Sequence, residues 1–147
     1  HSESRRQRQM CIRDRYLEDH RDGYQTVGDI AYVDNEGYYF ICDRKKDMII
    51  TGGVNVYPAE IENVLDDHPQ VAEVAVFGIP DDEWGEAVCA VIVCMDNLNE
   101  KELINFAKER LSGPKVPKKI FIRSDLPKTG SGKVLKRELK QWVQENS

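Results

Sequence analysis

The 147-residue sequence is poor in the features that mark exported, membrane-spanning or metal-held proteins. Its four cysteines, at 11, 42, 89 and 94, include no C-x-x-C pair, which argues against a disulfide framework and a zinc module. The three histidines, at 1, 20 and 68, are not spaced with them as metal ligands would be, so no metal site is expected. The longest apolar run covers residues 87–95, well short of the roughly 20 residues that a membrane-spanning helix needs. No apolar signal-peptide segment opens the sequence, and scattered cysteines without one predict free thiols in a reducing cytoplasm. Net positive charge is lacking too. With 21 Lys and Arg against 26 Asp and Glu, the net charge of −5 excludes a dedicated nucleic-acid binder.

What is present suffices for a core. The chain is 40% apolar and 32% charged, with room for one modest domain or for a small domain plus a piece of another. The charge is uneven: residues 1–15 hold +3 and the remainder −8. A basic arm can serve nucleic acid or anionic lipid, but this one has no apolar periodicity and no aromatic to stack on a base. It resembles translated adaptor sequence and is set aside as non-native or disordered, with the true amino-terminal part expected to be missing.

From Tyr24 onward short strands are predicted. Residues 27–33 and 38–42 flank Asp34-Asn35-Glu36-Gly37, a turn with glycine available for positive φ. After the charged knot Asp43-Arg44-Lys45-Lys46-Asp47 and the pair Gly52-Gly53, Pro58 opens a helix with Ile61, Val64, Leu65 and His68 on one face. Residues 71–77 and 87–95 read as buried strands around a polar loop at 80–85. Asn99 and Glu102 form a capping box for a second helix bearing Leu103, Phe106 and Ala107. A strand at 119–123 and a helix with Leu135, Leu139, Trp142 and Val143 follow. The expected fold is α+β: a mixed or antiparallel sheet covered on one side by helices.

Individually, the polar residues leave their roles open. Lys133 follows Gly130 and Gly132 in a loop that would let a ligand approach closely, or it is a solvated lysine in a turn before a helix. The stretch is not a Walker P-loop, since Pro127 and Val134 stand where that motif needs Gly and Ser or Thr. The knot at 43–47 is a solvated turn or a hinge with few apolar side chains to restrain it. Asp29 either accepts hydrogen bonds from a sugar diol or faces water on an edge strand.

Together they resemble a family. Val27-Gly28-Asp29, the run from Asp43 to Ile50, Gly52-Gly53-Val54-Asn55-Val56-Tyr57-Pro58-Ala59-Glu60-Ile61-Glu62 and Pro127-Lys128-Thr129-Gly130-Ser131-Gly132-Lys133 occur in order across residues 24–133. This is similar to the carboxyl-terminal region of the adenylate-forming (AMP-binding) superfamily, and Asn55–Pro58 resembles its acyl-CoA synthetase branch.

The resemblance implies a two-step ligase for a fatty acid or related carboxylic acid, using ATP with Mg and then coenzyme A. By this likeness Asp29 and Arg44 hold the ribose, Ile41 walls the nucleoside, and Lys133 is the adenylation lysine. Lys46 is the hinge about which a small lid domain turns. Gly52 and Gly53 line the CoA arm, and Trp84 either lines it too or fills the core. The implied division is a basic arm at 1–15, the end of a large AMP-binding domain at 16–45 and a mobile lid at 46–147. The large domain of the same chain, its acid pocket and its Mg ligands would lie elsewhere, so the piece alone is expected to be inactive. Val27 replaces the family's usual Thr, and Asp43 stands where Gly is frequent. Pro114 and Val116 fall where some CoA ligases place an aromatic or basic residue. Two alternatives are a lid that loads a carrier protein and a non-catalytic module.

Overall fold

The computed structural model describes residues 20–21, 24–25, 28–95 and 98–146, and the chain divides into two compact units, His1–Lys46 and Asp47–Ser147. The basic residues 1–15 and Val27 lie outside the described residues.

The first unit holds two antiparallel hairpins, β1 (His20–Arg21) with β2 (Tyr24–Gln25) and β3 (Asp29–Val33) with β4 (Tyr39–Arg44). The turn at 34–37 forms as its residues dictate. The Asp34 carboxylate accepts the N–H groups of Glu36 and Tyr38, each at 2.9 Å, and Gly37 takes φ +88°. Strand β4 continues two residues beyond the apolar stretch, and Lys45 N–H donates to the Gly28 carbonyl at 2.7 Å.

The second unit is a mixed sheet with helices on both faces. Strands β5 (Ile49–Thr51) and β6 (Val54–Val56) form a short hairpin, while β7 (Val71–Asp81) and β8 (Gly85–Cys94) form a long one. Strand β8 also meets β5 at Gly85 and runs parallel to β9 (Lys119–Arg123). Helices α1 (Pro58–Asp66) and α2 (Glu100–Lys108) share one apolar cluster with Val76, Val88, Ala90 and Ile92. Helix α3 (Lys136–Glu145) places Leu139 and Val143 in a second cluster with Ala75, Phe77, Cys89 and Val91.

The expectation of helices on one side is therefore corrected. Successive residues of β7 and β8 are apolar, so both faces of these strands must be covered, and α3 covers the second. The polar loop at 80–85 is likewise shorter than expected. Pro80 pairs with Glu86 inside the hairpin, which an edge strand allows because, among the described residues, β7 pairs with β8 alone. His68 does not belong to α1, which ends at Asp66. It sits in the following turn, half-buried, with its ring edge-on to Phe106 at 4.8 Å.

Asn99 and Glu102 make the expected capping box of α2, with each side chain accepting from the other's backbone N–H, at 3.0 and 3.4 Å. Among the described residues Cys89 and Cys94 are free thiols, and burial pushes the Cys89 thiol up to about 12. Among the described residues no helix is long and apolar enough to cross a membrane, and no cluster of His, Cys, Asp or Glu could hold a metal ion.

Candidate functional site

In the first unit the antiparallel register sets Asp29 directly opposite Arg44. The Arg44 Nε lies 3.8 Å from the Asp29 carboxylate, and the two side chains are 56% and 33% exposed. An acceptor and a guanidinium fork thus stand side by side and open to solvent, a combination suited to a vicinal diol. Ile41, also on β4, is 73% exposed, unusual for an aliphatic side chain at mid-strand. Lys46 is exposed in the turn that ends the unit.

The Gly52-Gly53 turn joins β5 to β6, and both glycines adopt positive φ, +55° and +79°. Gly52 N–H donates to the Trp84 carbonyl at 2.9 Å, and Ile50 N–H donates to the Glu86 carboxylate at 2.8 Å. A Cβ on Gly52 would lie 2.7 Å from the Trp84 ring, so this glycine is required by close approach as well as by φ. The Trp84 backbone is held by Asp81, whose carboxylate accepts the Glu83 and Trp84 N–H groups at 3.0 and 2.9 Å. At 39% exposure Trp84 is not a core residue. Its indole lies against Gly52, and the Lys118 ammonium stands 4.9 Å from the ring centroid.

The residues before α3 form a closed hairpin rather than a pliable loop. Lys128 and Val134 make an antiparallel bridge, Thr129 N–H donates to the Lys133 carbonyl at 2.8 Å, and Gly132 N–H donates to the Thr129 carbonyl at 2.9 Å. The Thr129 hydroxyl lies 2.8 Å from that of Ser131 and accepts the Lys133 N–H at 3.1 Å. Gly132 supplies the positive φ, +82°, that the turn requires. Lys133 is exposed, and among the described residues no carboxylate pairs with it.

Two groupings result: Asp29 with Arg44, and Gly52 with Trp84. No hydrogen bond, ion pair or ring contact among the described residues joins Lys133 to either glycine or to Trp84. Sequence reasoning missed Lys118, Asp81 and Glu86. Asp81 three residues before Trp84 is a readable turn signal, whereas Lys118 and Glu86 reach partners more than 30 residues away and leave no local trace.

The chain matches, over residues 60–133, the family model described as AMP-binding enzyme C-terminal domain; the match ends at Lys133. It is 45% identical over 125 residues to a 2-succinylbenzoate–CoA ligase of Bacillus cereus, covering 85% of this chain and 26% of that protein. Among solved structures it is similar to o-succinylbenzoate CoA synthetase from Bacillus subtilis in complex with its acyl-adenylate intermediate (42% identity, TM-score 0.79, 84% of this chain and 26% of that one). It is also similar to a Mycobacterium tuberculosis fatty acyl CoA synthetase (42% identity, TM-score 0.72, 88% and 26%). The chain thus spans about a quarter of the length of the curated relatives it matches.

Proposed function

Because the chain belongs to the adenylate-forming acyl-CoA ligase family, as its carboxyl-terminal part, we propose that it is the lid of an AMP-forming acid–thiol ligase. In this reading a carboxylate oxygen attacks the α-phosphorus of ATP, the bond to the β-phosphate breaks, and pyrophosphate leaves. The thiol of coenzyme A then attacks the acyl carbon of the adenylate, AMP departs with the electron pair, and the thiol proton is lost to solvent. The magnesium that accompanies ATP supplies charge neutralisation at the phosphates, and its ligands are assigned to residues outside this chain.

The observation that carries the reading is Lys133: an ammonium with no carboxylate partner among the described residues, on a turn whose backbone is already fixed by hydrogen bonds. Such a group stabilises negative charge as it develops between the acyl carboxylate and the α-phosphate, with little reorganisation. Asp29 and Arg44 take the ribose hydroxyls, with Ile41 as the apolar wall beside the nucleoside. The Gly52–Gly53 turn and the face of Trp84 line the pantetheine arm, and a Cβ on Gly52 would displace the indole that forms part of that lining. Lys46, the last residue of the first unit, is the pivot that exchanges the Lys133 hairpin for the glycine turn. The carboxylic acid is of the fatty-acid or aryl type, and the reaction belongs to the cytoplasm, where ATP and free thiols coexist.

Separating the half-reactions tests this. In the enzyme that contains this region, Lys133→Ala should slow adenylation by a factor on the order of 10²–10³. Thioester formation from supplied acyl-adenylate and coenzyme A should survive, and the 147-residue chain alone should show no ATP–pyrophosphate exchange. Equal loss in both steps removes the assigned role of Lys133.

A further inference from the structure

Three lysines punctuate the segment from the hairpin into α3, and they have different surroundings. Lys128 pairs with Glu73 of β7 at 2.7 Å, and Lys136 pairs with Glu62 of α1 at 2.8 Å. Lys133, between them, has no carboxylate partner among the described residues. The two acids are themselves placed by the fold. The same Glu62 oxygen also accepts the Val76 N–H at 2.8 Å, which ties the carboxylate to β7, and Glu73 lies at the register shift near the start of that strand. The first stem of the hairpin is therefore anchored to β7 by Lys128, and the start of α3, two residues beyond the second stem, is anchored by Lys136 through Glu62.

The arrangement matters because the hydrogen bonds that close the hairpin lie within it or run to Pro127 beside it, whereas these ion pairs tie it to the rest of the unit. Backbone hydrogen bonds from Thr129, Gly132 and Leu135 close the segment on itself, while the tip residues Gly130, Ser131 and Gly132 are exposed or open to space. With two glycines and, among the described residues, no side-chain packing at its tip, this closed turn can still open locally when its base is released. A long lysine side chain would also find a nearby carboxylate if one were vacant.

We propose that Glu62 and Glu73 are positioning residues for Lys133. They clamp the first stem of its hairpin and the helix start that follows the second and, being occupied by Lys128 and Lys136, leave the central ammonium free to meet an anionic phosphate. This inference rests on the reading of Lys133 as the phosphate-facing lysine. The Lys128–Glu73 pair is largely exposed and contributes little to global stability, and the Lys136–Glu62 pair is half-buried beside the helix start, so the clamp acts first on the local opening of the hairpin.

Amide hydrogen exchange on the complete 147-residue chain isolates that local opening. Glu73→Gln and Glu62→Gln should each speed exchange of the Gly132 and Lys133 amides about three- to tenfold, while the amides of β8 exchange as before. The glutamine at 62 retains an acceptor for Val76. The charge-exchanged pair Glu73→Lys with Lys128→Glu should restore slow exchange. Exchange at Gly132 and Lys133 that is unchanged, or that rises in step with β8, overturns the clamp.

In the enzyme containing this region, Glu73→Gln should lower the rate constant of adenylation about three- to tenfold, leave the thioester step unchanged, and recover with the exchanged pair. An unaltered adenylation rate beside a loosened hairpin also overturns the positioning role. Full adenylation by Lys133→Ala would instead sink the assignment of Lys133 itself, while the exchange result would stand.

Discussion

Two glycine turns project from the second unit, and they are fixed by different means. At Gly52-Gly53 the turn is seated by packing: the Trp84 ring occupies the space a Cβ would need, and two backbone N–H groups bond to the β7–β8 hairpin. At Gly130–Gly132 a Cβ would meet nothing within 4 Å at either glycine, and the turn is held by its own backbone hydrogen bonds, by the Thr129 hydroxyl and by charge. The difference fits the proposed tasks. A surface past which a narrow chain must slide benefits from a rigid apolar wall, whereas a lysine that meets a phosphate needs open space around it and restraint at its base.

Substitutions can break this contrast, beginning where packing dominates. Gly52→Ala should cost about 2–3 kcal/mol, combining the left-handed backbone penalty with displacement of the indole. Thermal unfolding and the Trp84 fluorescence would both register it. Adding Trp84→Ala should recover only the steric part, about 1 kcal/mol; full recovery would mean that φ contributes nothing. Gly132→Ala faces the backbone penalty alone and should cost about 1 kcal/mol, while Gly130→Ala, without positive φ, should be near neutral in the same melts. A cost at 130 equal to that at 132 would refute the distinction. The smallest effect is that of salt. Raising NaCl from about 0.1 to about 1 M should speed amide exchange in the 128–134 hairpin severalfold and leave the Gly52 amide, bonded to the Trp84 carbonyl, unaffected. A matching acceleration at Gly52 would show that packing is not what seats that turn.

Much of the architecture is legible in local pattern. The strand at 119–123, the capping box at Asn99 and the α3 face with Leu139 and Val143 all follow from spacing and side-chain chemistry within a few residues. The double coverage of the sheet was harder to read. Continuous apolar runs in β7 and β8 do not say which helix lies on which face, and Pro80 reads as a loop residue unless the strand is known to be an edge. Candidate site residues stood out where a motif is contiguous, as around Lys133 and Gly52. What holds them did not stand out: the partners of Lys128 and Lys136 lie 55 and 74 residues earlier in the sequence, and Lys118 meets an indole 34 residues before it. Charge pairs at such separations obey no local periodicity, so only the folded chain brings them into view.

The helices on both faces of the β7–β8 sheet have a mechanical consequence. A sheet covered on one side only has a permanent obligation to whatever covers the other, and peeling it away would bring Phe77, Cys89 and Val91 into water. Here α3 discharges that obligation within the unit, since these three side chains share a buried cluster with its Leu139 and Val143. A body sealed in this way can trade one neighbour for another repeatedly without any stage of the exchange wetting its interior.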